Sequence, residues 1–192
     1  GENSEVDPKR EVAEKSEGKI KKERDHKEEP EDRELGKTPK KKALYNRALV
    51  YGPKGEVVYS QDKVYLTPFE RDQLLLSSGE KNDARTFETV RGWECALTIC
   101  RDTFFEEWNR RFSGAELWID LKANGEQFDK ETEELFARAL PERIRQSEVP
   151  YGATACLNGR FLDLFWEGPS SIMAWKGNSI RYLRKASTPD EE

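Results

Sequence analysis

The chain has 192 residues, of which 37% are charged and 35% hydrophobic, and its formal charge is -5. That length suits one domain, and so modest an acidic balance gives no electrostatic ground for binding nucleic acid. Three cysteines without Cys-x-x-Cys spacing make neither a disulfide framework nor a zinc cluster, which fits a reducing compartment and leads us to expect a cytoplasmic protein. No apolar stretch approaches the length of a membrane span, and the first residues hold no apolar run of the signal-peptide kind, so a soluble protein is expected.

Residues 1–42 carry equal numbers of acidic and basic side chains, almost no large apolar residues and no usable period. Such a segment buries too little surface to offset its chain entropy, so it reads as a disordered charged tail or linker. Its Lys40-Lys41-Lys42 run is short and reads as solvated linker. The remaining residues hold all five Trp and the whole net charge, and 43–186 is expected to form the folded domain, followed by a short tail over 187–192. Because the chain opens on Gly1 and has Met173 as its single methionine, it is expected to be processed, excised or incomplete.

In chain order, Asn46 to Tyr51 reads as a strand, Gly52-Pro53-Lys54-Gly55 as a hairpin turn and Glu56 to Ser60 as the returning strand. Pro68 sits well in the first turn of a helix running to about Leu76. A polar loop over 79–86 precedes a short strand at Phe87 to Val90, and a turn at Arg91-Gly92 introduces the strand Trp93 to Ile99. Phe104, Phe105, Trp108 and Phe112 then recur at helical spacing. Ala115 to Leu121 is the next strand, and Lys130 to Arg145 a longer amphipathic helix with an irregularity at Pro141. Strands follow at Gly152 to Leu157, Arg160 to Trp166 and Ser171 to Trp175, with turns at Gly159, Gly168-Pro169 and Gly177-Asn178. This order implies an α/β layered fold with a partly antiparallel sheet.

The most informative residue is Cys100, which ends the apolar run Cys95-Ala-Leu-Thr-Ile-Cys100 and precedes the helix-like stretch. A nucleophile is often held at such an elbow, where the partial positive charge of a helix N-terminus favours a thiolate. Cys95 and Cys156 read as packing residues. The sole histidine, His26, lies in the charged tail, so a Ser-His-Asp triad, a Cys-His dyad or a Cys/His metal site within the domain has no histidine to use, and neither metal nor cofactor is expected. The partner of a catalytic Cys100 must then be a carboxylate or a lysine. Lys63, at the end of a strand, could stabilise a thiolate and an oxyanion; on spacing alone it reads first as a surface lysine after a hairpin.

Two segments carry a family resemblance. Tyr45-Asn46-Arg47-Ala48-Leu49-Val50-Tyr51-Gly52-Pro53-Lys54-Gly55-Glu56-Val57 with Asp62-Lys63-Val64-Tyr65-Leu66-Thr67-Pro68-Phe69-Glu70 resembles the lysine region of the carbon-nitrogen hydrolase (nitrilase) superfamily, and Gly92-Trp93-Glu94-Cys95-Ala96-Leu97-Thr98-Ile99-Cys100-Arg101-Asp102-Thr103-Phe104-Phe105 resembles its nucleophile elbow. Weaker matches follow in order at Gly114 to Ile119, Ala137-Arg138-Ala139, Asn158-Gly159 and Gly168-Pro169-Ser170-Ser171. The resemblance implies a four-layer α-β-β-α sandwich, here lacking its first strands and helices. It also implies a Glu-Lys-Cys triad that cleaves small-molecule amides, nitriles or carbamoyl groups through a thioester. Cys100 would be the nucleophile, Lys63 the oxyanion-stabilising lysine, Glu70 an auxiliary substrate-orienting glutamate and Asp102 a structural acid.

Two departures stand against the pattern. Arg101 replaces the aromatic residue that commonly follows the nucleophile, and no glutamate upstream of Lys63 follows a strand-like run, so the general base is not identifiable in this chain. The leading expectation is the C-terminal portion of such a hydrolase, as part of a longer chain or complex and self-associating or paired with a complementing subunit. The alternative is an inactive relative that serves as an interaction subunit.

Overall fold

A computed structural model describes residues 42–186. The charged tail, except Lys42, its histidine His26 and the C-terminal tail lie outside those residues. Strands β1 (Arg47–Tyr51) and β2 (Val57–Asp62) form an antiparallel hairpin, and Lys63 follows directly, as expected. A six-stranded sheet holds β3 (Phe87–Glu88), β4 (Glu94–Ile99), β5 (Leu117–Lys122), β6 (Tyr151–Cys156), β9 (Ser171–Lys176) and β10 (Ser179–Lys185), in the order β10-β9-β6-β5-β4-β3. β4, β5 and β6 run parallel; β3, β9 and β10 join by antiparallel pairing. Strands β7 (Gly159–Phe161) and β8 (Leu164–Trp166) form a separate hairpin.

Alternation along β4 shows how the layers are made, because successive side chains of a strand point to opposite faces. Ala96 and Thr98 face helices α1 (Glu107–Arg111) and α3 (Leu140–Ser147), where Trp108, Phe112, Trp118, Leu140, Ile144 and Met173 are all buried. Cys95, Leu97 and Ile99 face the other way, against Ala48 and Tyr59 of the first hairpin. The described residues therefore stack a helix layer, the main sheet and a two-stranded second sheet. This is a mixed α/β fold in which the second sheet is a single hairpin.

Several elements depart from the sequence reading. The helix expected from Pro68 to Leu76 is a single wide turn, Phe69–Gln73, after which Leu75 is left-handed (φ 53°). The chain there serves the buried carboxylate of Glu70 rather than an apolar face. The helix expected after Cys100 is a 3-10 turn over Cys100–Phe104, with α1 beginning only at Glu107. The long helix expected over Lys130 to Arg145 is two: α2 (Lys130–Ala137), capped by the Asp129 carboxylate on the Thr132 amide, and α3, which carries Pro141 in its first turn. The strand expected at Arg160 to Trp166 folds back on itself at left-handed Leu162 (φ 54°), and β10 follows the Gly177-Asn178 turn as a strand not read from the sequence.

Close packing of α3 on the sheet depends on Gly152 of β6. A Cβ at this position would sit 3.0 Å from Met173 Cγ and 3.2 Å from both Ile144 Cδ1 and Leu140 Cδ2. We predict that Gly152→Ala destabilises the domain by about 1–3 kcal/mol through overpacking, read as a lowered urea midpoint; an unchanged midpoint would show that α3 shifts freely.

Candidate active site

The end of β4 is built as an elbow. Cys100 has φ 53°, a left-handed conformation that a non-glycine residue holds at a cost of about 1–3 kcal/mol unless its surroundings enforce it. They do so from both sides. The Thr103 hydroxyl donates to buried Asp120 Oδ1 (2.5 Å) and lies 2.9 Å from the Thr98 hydroxyl, which also accepts the Trp118 indole N–H (3.0 Å). The Trp108 indole N–H donates to the Asp102 carbonyl at 2.9 Å. The expected helix N-terminus is thus replaced by a pinned 3-10 turn, so any field at Cys100 comes from local amides rather than a long helix dipole.

The Lys63 segment is fastened to this elbow. The carboxylate of Asp102, wholly buried, accepts from the Tyr65 amide at 2.7 Å and the Val64 amide at 3.2 Å. Arg101 Nη1 donates to the Leu66 carbonyl at 3.0 Å. These contacts bring the loop carrying Lys63 and the turn opening at Cys100 side by side, though they lie almost forty residues apart in sequence. Burial pushes the Asp102 carboxyl up to about 6, against the amides of Tyr65 and Val64 and the charge of Lys63, all of which favour its ionised form.

Lys63 is 2% exposed and its Nζ lies 2.7 Å from Glu70 Oε2. Glu70 is held in turn by the Thr67 amide (2.8 Å) and by Asn46 Nδ2 (2.9 Å). Burial opposes ionisation of Glu70, but the Lys63 hydrogen bond, the Thr67 amide and Asn46 together keep its carboxyl below the ordinary range. The surface reading of Lys63 is overturned: this is a buried ammonium with a dedicated carboxylate.

Sequence reasoning passed over three contributors. Asn46 and Thr67 fix Glu70, and Gln61, 2% exposed, bridges the Tyr59 hydroxyl and the Leu97 carbonyl, tying β2 to β4. A second buried pair, Asp120 and Lys122 (2.8 Å), lies on the helix-facing side of β5, with Lys122 Nζ 4.9 Å from the Phe104 ring centroid and 5.0 Å from that of Phe136. The signal was charge at alternate positions in an otherwise apolar strand. Among the described residues no group of three His, Cys, Asp or Glu side chains could hold a metal ion, and no helix is long and apolar enough to cross a membrane.

No family model matches the chain, and no curated protein sequence is found similar to it. Solved structures do match. A Glu-to-Gln mutant of the amidase from Nesterenkonia sp. AN1, with the acetamide moiety of fluoroacetamide added covalently at its active-site cysteine, is 25% identical with a TM-score of 0.54, covering 67% of this chain and 46% of that one. Nit3 of Saccharomyces cerevisiae, a member of branch 10 of the nitrilase superfamily, is 23% identical with a TM-score of 0.59 over 74% and 49% of the two chains. A carbon-nitrogen hydrolase from Helicobacter pylori is 19% identical with a TM-score of 0.57 over 74% and 52%. The chain spans about half the length of these structures.

Two predictions follow from the geometry. Burial pushes the thiol of Cys95 up and that of Cys156 up to about 11, while Cys100 is only half-buried. At pH 8 iodoacetamide is expected to alkylate Cys100 well before the other two, as peptide mapping would report; equal rates would refute the elbow as a reactive site. Asp102 has a raised folded pKa, so its contribution is greatest below its unfolded pKa near 4 and is lost as pH rises to about 6. The stability difference between native protein and Asp102→Asn should therefore change across pH 4 to 6, against the native protein, and flatten above; denaturant titrations at each pH test this.

Proposed function

Taking the nitrilase-superfamily fold as premise, we propose that the chain is the nucleophile-bearing portion of a hydrolase of non-peptide carbon-nitrogen bonds in amides, nitriles or carbamoyl groups. The observation that carries this reading is the fastening of the Lys63 loop to the left-handed Cys100 elbow through Asp102. A strained cysteine at a strand end, fastened to the loop of a buried, carboxylate-held lysine, suits attack on a carbonyl carbon better than it suits packing.

For an amide the roles run as follows. The Cys100 thiolate attacks the carbonyl carbon, and negative charge gathers on its oxygen. Lys63 and the amides after Cys100 stabilise that oxyanion, ammonia or an amine leaves with a proton, and a thioester remains on Cys100. Water then attacks the thioester and releases the acid. Glu70 holds Lys63 aimed through their ion pair, and it is the auxiliary carboxylate near the substrate. The base that takes the thiol proton is a glutamate outside the described residues, carried by a longer chain or a complementing subunit. The substrate is a small molecule and the chemistry proposed needs no cofactor.

A second reading has a structural feature in its favour. On the sheet face away from the helices, the first hairpin covers β3 and β4 but leaves Ile172 48% and Tyr151 39% exposed on β9 and β6. An apolar sheet face left in water favours a covering partner, which an inactive interaction subunit would also recruit.

Incubating the protein with acetamide or acrylamide and measuring intact mass separates the two. We expect an adduct on Cys100, absent in Cys100→Ala, and turnover lowered at least a hundredfold in Lys63→Met. Absence of any adduct in the protein taken in its native assembly would favour the interaction subunit. Glu70→Gln is expected to cost about 3 kcal/mol of stability, because it leaves a buried ammonium without its counter-charge, and thermal unfolding measures that loss.

A further inference from the structure

We infer that Arg101 is a specificity-determining residue that recognises a carboxylate on the substrate, so that the preferred substrates are amides bearing an anionic group a few bonds from the scissile carbonyl. The inference rests on the hydrolase reading above and adds the substrate class. Arg101 follows the nucleophile directly, and its side chain is exposed. Its Nη1 donates to the Leu66 carbonyl, so the guanidinium reaches from the elbow to the loop that carries Lys63 and Glu70.

Arg101 combines its place beside the nucleophile with the lack of a counter-ion among the described residues. Three nearby cations are matched to a carboxylate, Lys63 to Glu70 at 2.7 Å, Arg71 to Asp72 at 2.8 Å and Lys81 to Glu107 at 2.9 Å, while Arg85 lies over the Tyr59 ring and Arg111 donates to the Ala84 carbonyl, away from the residue that follows the nucleophile. Among the described residues Arg101 forms no such ion pair, and its one hydrogen bond goes to a neutral carbonyl. Asp102, next in sequence, is turned inward and committed to the Val64 and Tyr65 amides. The guanidinium is therefore held in place at one end and keeps free N–H donors in a planar fork, the geometry that matches a carboxylate in two parallel hydrogen bonds. An aromatic side chain here would offer a wall; an arginine offers a fixed charge beside the nucleophile.

The test does not need turnover. Iodoacetate and iodoacetamide both alkylate a thiolate by forming a sulfur-methylene bond with loss of iodide, and they differ in one carboxylate against one neutral amide. The ratio of their rate constants at Cys100, read by peptide mapping, is expected to fall about fivefold in Arg101→Gln and to be kept in Arg101→Lys, since an exposed charge pair is worth roughly a factor of five. Succinamate is also expected to protect Cys100 from iodoacetamide at lower concentration than neutral butyramide does, with that advantage lost in Arg101→Gln. Selective labelling of Cys100 with a ratio indifferent to Arg101 overturns this inference and leaves the hydrolase reading standing. Failure of either reagent to select Cys100 over Cys95 and Cys156 overturns both.

Discussion

The carboxylate of Asp102 reaches from the turn after β4 to the amides of Val64 and Tyr65, and the candidate site depends on that span. With Gln61 on the Leu97 carbonyl and Arg101 on the Leu66 carbonyl, it joins two segments that no strand pairing among the described residues connects. Its ionised form is unfavourable in so dry a place, which is why its carboxyl titrates near 6, and the two amides supply what water no longer does. A side chain of another length at position 102 would leave both amides unpaired. The lysine loop would then lose its register on the elbow.

Around that contact the fold accepts several locally unfavourable arrangements. Cys100 is left-handed, and two ion pairs, Lys63 with Glu70 and Lys122 with Asp120, are taken out of water. Buried pairs are weak sources of net stability, because desolvation offsets most of their attraction, yet removing one partner is costly. Their value here is geometric. Each leaves only one arrangement in which its charges are matched: Lys63 aimed at Glu70, and Asp120 positioned to receive Thr103 and so lock the elbow. Stability comes instead from the aromatic layer between the helices and the sheet, where Trp108, Phe112 and Trp118 are buried and stacked or edge-on to one another.

The same division explains the layers. Parallel strands β4, β5 and β6 end together, so the elbow, Lys122 and Cys156 fall on one rim of the sheet. Chain reversals at that rim can vary without disturbing the core, whereas Gly152 beneath α3 cannot. The opposite face is only partly covered, and the matched part of this chain spans about half of the solved structures it resembles. Charge on the outer strand β10, at Arg181, Arg184 and Lys185, discourages unspecific pairing of that edge.

Strand positions, the hairpin before Lys63, the elbow at Cys100 and the family resemblance were legible from residues alone, because alternation, Gly-Pro turns and an apolar run ending in cysteine are local patterns. Local patterns overstated the helices. The Phe104 to Phe112 spacing was right that Trp108 and Phe112 are buried, but it and the Pro68 start were wrong about helix length, since Glu70 and Asp102 turn inward to tertiary partners that no window of sequence contains. The same limit hid Asn46, Gln61 and Lys122. By itself the sequence determined which residues could do chemistry and excluded a histidine partner for Cys100 within the folded part. Only the tertiary structure decided that Lys63 is buried on Glu70, that Asp102 joins the two motifs and that Arg101 has no counter-charge among the described residues. Ion pairing and desolvation depend on distance in space, and segments far apart in sequence meet only when the sheet and its hairpin are assembled.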